Sequence, residues 1–212
     1  MIPEGTAKIR ISIVGSGYVG TTVAACFADL GHDVINIDID ETVVETINAG
    51  KAPIHEEGLS ELIAEHAGPE GTGRLRATTD YDAVVDTKVT FLCLPTPQND
   101  DGSIDLSIME AGASQLGETL ADAADWHTVV VKSTVVPGST ADTITPILEA
   151  ESGKAAGEDF GVGMNPEFLR EGTAVHDFFN PDKVVLGADD DRSLEDMRSV
   201  FDPLVEAADA PV

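Results

Sequence analysis

Basic residues are scarce in this chain: 12 Lys and Arg stand against 39 Asp and Glu, a formal net charge of −27. That balance excludes a nucleic-acid or anionic-membrane surface, because both demand clustered cations. The acids are dispersed, as in EDFGVG, GADDDRSLED and VEAADA. With so little Lys, the balance resembles that of proteins from salt-loving organisms. At molar salt the Debye length is only ~3 Å, so such a surface would no longer repel anionic ligands.

Long apolar runs are also missing. None approaches the ~20 residues of a membrane span, and residues 1–9 hold no basic region leading into an apolar run, so a soluble cytoplasmic protein is expected. Cysteine is nearly absent: Cys26 and Cys93 fall inside an expected core helix and core strand, the usual places of buried free thiols in a reducing compartment. Neither AACFAD nor FLCLPT supplies the partner base that a nucleophilic thiol needs. His32, His55, His66, His127 and His176 show no metal-ligand spacing and no Cys joins them, so no metal is expected and the histidines are assigned to surface or loops.

What is present is a 42% hydrophobic chain of 212 residues, enough for one α/β domain. Strand-length apolar runs at 9–14, 33–38, 88–94, 128–132, 160–164 and 183–187 alternate with stretches of helical period at 18–30, 40–48, 59–65, 106–121, 139–150 and 193–207. That alternation predicts a Rossmann-like, doubly wound, mainly parallel sheet with helices on both faces. Turn-rich segments at 68–73, 98–102 and 152–158 read as surface loops.

The strongest local signal is IRISIVGSGYVGTTVAACFADLGHDVINIDID, in which a strand runs into Gly15, Gly17 and Gly20 and then into an Ala-rich helix. Gly15 permits a tight turn, Gly17 the close approach of backbone to a pyrophosphate, and Gly20 close helix packing, with the phosphates on the helix N-terminus. Asp38 ends the second strand 23 residues after Gly15, near the spacing of the acid that binds ribose hydroxyls. A carboxylate there favours NAD, since it repels the 2′-phosphate of NADP. Asp40 reads as the cap of the next helix. A Gly-rich turn that binds another nucleotide, or none, is the competing reading.

In the second half, VVVKSTVVPGST should deliver Lys132, Ser133 and Thr134 to the carboxyl end of a strand, where ligands of open α/β sheets collect. FLCLPTPQND leads Pro95, Thr96 and Pro97 out over the nucleotide site in the same way. In GVGMNPEFLREGTA, Glu167 and Glu171 are four apart and share a face if the segment is helical, close enough for one to raise the other's pKa. The pair reads either as acid–base or water-positioning chemistry, or as a helix start with Asn165 as cap, Pro166 first and Glu167 facing the dipole.

Taken together, IVGSGYVG, DIDETVVETINAGKAPIHEEGL, LCLPTPQNDDGSIDLS, VVVKSTVVPGST and MNPEFLREGTAVHDFFNPDKVVLG resemble the UDP-glucose/GDP-mannose dehydrogenase family, in order and across nearly the whole chain. The resemblance implies oxidation of a sugar 6-hydroxymethyl group to a carboxylate in two NAD-linked steps, through a cysteine-bound thiohemiacetal and thioester that water hydrolyses. It implies that Thr134 and Glu167 hold or activate that water, that Glu171 lies near the nicotinamide, and that Glu167, Phe168, Leu169, Arg170 and Glu171 line the sugar site. It assigns Tyr18 and Val19 to the pyrophosphate backbone, Asp38 to the ribose, and Pro95, Thr96, Ser133 and Thr134 to cofactor contacts.

Two departures stand out. Val43 occupies a position where the family often carries Lys or Arg, removing one adenosine-side contact, and PIHEEGL stands for the commoner PIYEPGL. The family's central helix, with its catalytic Lys, Asn and dimer contact, and its domain bearing the nucleophilic Cys find no match in residues 1–212. The resemblance therefore implies one NAD-binding domain over 1–212, inactive alone, from an enzyme that is a homodimer or larger. NPEFLREG with DFFNPDKVVLG looks most like the UDP-glucose branch. Dehydrogenation of GDP-mannose or of N-acetylated UDP-sugars, and a non-catalytic NAD-binding module, are the alternatives.

Overall fold

The computed structural model describes residues 8–208 and 210–212. Its sheet is built from β1 (Arg10–Val14), β2 (Asp33–Ile37), β3 (Leu75–Thr78), β4 (Val89–Leu92), β5 (Thr128–Val131), β6 (Gly161–Met164) and β7 (Gly187–Ala188). The order is β3-β2-β1-β4-β5-β6-β7, parallel from β3 to β6, with β7 added antiparallel at the edge. This is the doubly wound, Rossmann-like arrangement expected from the alternation of apolar runs. Its switch point, the place where ligands of such sheets bind, lies between β1 and β4.

Strands buried on both faces read as continuous apolar runs, as TVVV in β5 and VTFL in β4 do. One face is covered by α1 (Tyr18–Asp29), α3 (Leu59–His66), α6 (Ala174–Phe179) and α7 (Asp191–Ala208). The opposite face carries a 3-10 turn (Tyr81–Asp86), α4 (Ser107–Ala121) and α5 (Thr145–Ser152). Beyond β2, α2 (Glu41–Asn48) packs on β3. Phe27 of α1 knits the first face together, with ring centroids 5.2 Å from Phe91, 5.4 Å from Phe178 and 5.3 Å from Phe201. Emptying such a site costs about 3–5 kcal/mol.

Several local expectations are corrected. The run at 183–187 is not a strand for most of its length: Val184 N–H donates to Pro211 C=O, the Val185 carbonyl accepts from Asn165 Nδ2, and only Gly187–Ala188 pair with β6. The helix expected over 139–150 begins as a π turn, Thr140–Ile144, before α5. Pro146 lies in the first turn of α5 and has no N–H to offer the carbonyl of residue 142, so the wider turn removes the clash its ring would cause. β3 and α6 lie in stretches where no element was expected. His32, His66 and His127 are buried, not on the surface. Each is satisfied from distant sequence. His32 lies 2.9 Å from the Val200 carbonyl, His66 pairs with Asp29 at 3.0 Å, and His127 sits between Thr87 C=O (2.9 Å) and Thr90 Oγ1 (2.7 Å).

Candidate functional site

The turn after β1 has the geometry its glycines suggested. Gly15 sits at φ +100°, and a Cβ there would lie 2.6 Å from the Cys93 carbonyl oxygen. A Cβ on Gly20 would lie 1.9 Å from the Gly15 carbonyl oxygen, so Gly20 is fixed by contact between α1 and the turn. Gly17 differs: its φ is −71° and an added Cβ would meet nothing within 4 Å. The space before Gly17 is open, and α1 begins there with no side-chain cap and with its first N–H groups free for an anion. Tyr18 and Val19 open the helix and are half-buried.

Asp38 stands directly beyond β2 and is locked to this turn. One carboxylate oxygen accepts from Ser16 N–H at 2.6 Å and the other from Asp40 N–H at 3.0 Å. Asp40 in turn caps α2 by accepting from Thr42 N–H, as expected. Beneath the turn, Asn36 is fully buried in β2, and its Nδ2 donates to the carbonyls of Ile13 (3.1 Å) and Gly15 (3.2 Å). Asn36 is not among the residues expected at the site. Its signal was a lone amide in an apolar strand, VINID.

The loops after β4 and β5 are sewn to each other. Ser133 Oγ donates to Leu94 C=O at 2.6 Å, and Thr96 Oγ1 donates to Thr134 C=O at 2.9 Å. Pro95 and Thr134 are exposed at this seam. Lys132 is buried at the end of β5, and Nζ donates to Asn165 Oδ1 at 2.7 Å. Burial pulls the Lys132 pKa down, while Cys93 and Glu167 act against that shift. Asn165 therefore does not cap a helix, and residues 165–170 are irregular rather than helical, which removes the helix-start reading of Glu167.

Glu167 is half-buried, and its carboxylate accepts from Leu169 N–H at 2.6 Å. It shares a cavity of about 600 Å³ with Lys132, Asn165, Phe168, Leu169 and Arg170. Phe168 is exposed, with Lys183 Nζ 5.4 Å from its ring centroid. The Arg170 guanidinium is taken by Asp177, Nε at 3.0 Å and the second nitrogen at 2.7 Å, and this hydrogen-bonded pairing holds the Asp177 carboxyl far below its ordinary range. Glu171 is exposed and does not line this cavity; with Glu56 it contributes negative charge beside Tyr18. The structure thus gathers Glu167 to Arg170 on one cavity, and Gly15 to Gly20 with Asp38 at the switch-point turn. A second cavity of about 900 Å³ lies between Val135–Gly138 and the β6–β7 edge and shares no lining residue with either.

Neither thiol suits nucleophilic chemistry. Burial raises Cys26 well above its ordinary pKa and pushes Cys93 up to about 12. Asp29, Glu65 and His66 bring one potential metal-ligand atom each to within 4.8 Å of one another, a grouping of two helices that sequence spacing does not reveal. Among the described residues no helix is long and apolar enough to cross a membrane.

The family model described as the UDP-glucose/GDP-mannose dehydrogenase family, NAD binding domain, matches residues 9–205. The chain belongs to this family. Its members are NAD-dependent oxidoreductases, and NAD is the cofactor of this domain. UDP-glucose 6-dehydrogenase AglM of Haloferax volcanii is 60% identical over 203 residues, which cover 96% of this chain and 46% of that protein. A ternary complex of GDP-mannose dehydrogenase from Pseudomonas aeruginosa superposes with a TM-score of 0.89 at 42% identity, covering 96% of this chain and 45% of that one. A UDP-glucose dehydrogenase from Pyrobaculum islandicum gives a TM-score of 0.89 at 40% identity, covering 100% and 47%. The dehydrogenase domain seen here thus spans about half the length of the relatives it matches.

The residues present fit a dinucleotide. Gly17 leaves open the space its Cβ would fill, α1 starts without a side-chain cap, and Asp38 is tied to the same turn through Ser16 N–H. A 2′-phosphate placed beside that carboxylate would be repelled, as the expectation of NAD over NADP requires.

Proposed function

We propose that this chain is the NAD-binding domain of a dehydrogenase that oxidises UDP-glucose to UDP-glucuronate in two NAD-linked steps. The observation that carries the reading is the Gly15–Gly20 turn tied to Asp38 at the switch point of the sheet. Bound NAD supplies the electron acceptor. Around it, the free amides of α1 hold the pyrophosphate, Asp38 accepts from the ribose hydroxyls, and the Thr96–Thr134 seam borders the cofactor. Glu167 and Thr134 position the water that releases the oxidised sugar, the loop of Phe168, Leu169 and Arg170 lines the sugar site, and Glu171, outside that cavity, is given the place near the nicotinamide. Cys26 and Cys93 are buried and held as thiols, so neither is given the role of nucleophile. Precursor supply for surface polysaccharides, in the cytoplasm and at high salt, is the setting that goes with this chemistry and with the net charge of −27.

UDP-glucose is preferred because the relative of that name is 60% identical, against 45% for a GDP-mannose 6-dehydrogenase of Azotobacter vinelandii. GDP-mannose is kept as the second reading, because the two structural relatives above superpose equally well. The test is to give the enzyme that contains this domain NAD with UDP-glucose, GDP-mannose or an N-acetylated UDP-sugar and count NADH. Two NADH per UDP-glucose is expected. NADH formed only with GDP-mannose would transfer the assignment to the second reading.

A further inference from the structure

The stretch between α2 and α3, PIHEEGL, holds a carboxylate to which neither the cofactor turn nor the sugar loop gives an obvious use. Glu56 is 4% exposed. One of its oxygens accepts from the Tyr18 hydroxyl and from Gly172 N–H at 2.9 Å, and the other accepts from Ala174 N–H at 2.8 Å. The Tyr18 hydroxyl also accepts from Gly172 N–H at 3.0 Å and lies 3.3 Å from Arg170 C=O. These partners are 38, 116 and 118 residues from Glu56 in sequence. Tyr18 is the first residue of α1, directly after the open turn at Gly17. Gly172 follows the loop that runs from Glu167 to Glu171. Arg170, the anchor of that loop on Asp177, is two residues away.

An acid taken out of water this far is costly unless its oxygens are saturated by donors. Here burial works to raise the Glu56 pKa, and the hydrogen bonds from Tyr18, Gly172 and Ala174 overcome it, so the group stays an anion. The same contact, after burial itself, pushes Tyr18 up to about 12, so the phenol keeps its proton and remains the donor. A capping role alone would need only the Ala174 contact. The Tyr18 contact adds a link from the cofactor turn to the sugar loop through a single carboxylate.

We infer that Glu56 is a positioning residue that couples the NAD turn to the loop 167–172. An anion on the first amides of α1 fixes Tyr18, Tyr18 fixes Glu56, and Glu56 holds the backbone of Gly172 and Ala174, so bound NAD orders the loop. Because binding linkage is reciprocal, a sugar nucleotide that orders the loop strengthens NAD binding by the same factor. The inference rests on the NAD reading of the Gly15–Gly20 turn.

Residue-resolved amide hydrogen exchange on this 212-residue chain in molar KCl, with and without NAD, tests it beside calorimetric titration of the same samples. In the wild type, NAD should slow exchange at Gly172 and Ala174. In Glu56→Gln these two amides should exchange about ten- to hundredfold faster, the loss of a charge-assisted acceptor, while sheet amides such as Ile13 and Phe91 keep their rates. In Tyr18→Phe, compared at NAD concentrations that calorimetry shows to saturate the variant, NAD should no longer slow Gly172 and Ala174. A purely structural Glu56 would leave that NAD effect intact in Tyr18→Phe, and this result overturns the inference. NAD bound to the wild type with no change at 170–174 overturns it as well and leaves the cofactor reading standing. No binding of NAD by the folded wild type removes both.

Discussion

Two alanine substitutions three residues apart should separate cofactor binding from folding. At Gly17 an added methyl meets no protein atom within 4 Å, and φ is −71°, so the backbone accepts any L residue. The folding penalty is that of exchanging Gly for Ala at a helix N-cap, below about 1 kcal/mol. The methyl does enter the space through which a pyrophosphate reaches the first amides of α1. Losing one charge-assisted amide–phosphate contact, about 1.5–3 kcal/mol, weakens NAD binding about ten- to hundredfold. At Gly20 the methyl would sit 1.9 Å from the Gly15 carbonyl oxygen and 3.2 Å from Cys93 Cβ. Neither neighbour can move without displacing the turn or β4, so Gly20→Ala should destabilise by about 1–3 kcal/mol or more. Denaturant unfolding in molar KCl reads the first quantity and calorimetric titration with NAD the second. Equal loss of stability in the two variants, or NAD affinity unchanged in Gly17→Ala, would refute the assignment of the open space to the pyrophosphate.

Three further outcomes are expected. Asp38→Asn replaces one of the two oxygens that accept from Ser16 and Asp40 N–H by a donor, so NAD affinity should fall about tenfold or more and NADP should gain relative to NAD in competition titrations. Burial lowers His127 to about 4, so between that value and its unfolded pKa of about 6.5 the unfolded chain binds a proton that the folded one refuses. Its contribution is complete above pH 7 and is lost as pH falls through that window, about 2 kcal/mol between pH 7 and 5. Denaturant curves of His127→Asn should show that much less pH dependence, and an unchanged slope would remove His127 as the cause. Finally, the net charge of −27 should make unfolding midpoints rise from low salt to molar KCl, as screening removes self-repulsion; flat midpoints would count against adaptation to salt.

What the sequence made legible was local. The Gly15–Gly20 turn, the cap at Asp40, and the runs that became β1, β2, β4, β5 and β6 all carry their signal within a few residues. The parts that escaped depend on distant partners. Asn165 has the pattern of a helix cap because Pro166 follows it, but Lys132, just past β5, claims its oxygen and the Val185 carbonyl its amide. The run at 183–187 is apolar enough for a strand, yet Pro211 and Asn165 satisfy its backbone from outside the sheet. β3 is only LRAT, flanked by polar turn residues, and is held by Asn48 and β2. The burial of His32, His66 and His127 escaped for the same reason: the groups that satisfy them come from elsewhere in the fold. The site divides likewise. The dinucleotide turn could be read from its spacing, whereas Asn36 beneath it and Glu56 beside it emerge only once the chain is folded.

Calorimetric titration of the chain with NAD and with NADP in molar KCl is the decisive comparison for the site at the β1–β4 switch point. Binding of NAD with NADP much weaker is the expected result, from free α1 amides beside a carboxylate fixed by Ser16 and Asp40. Folded protein that binds neither nucleotide, or NADP as tightly as NAD, would contradict the roles given to Gly17 and Asp38.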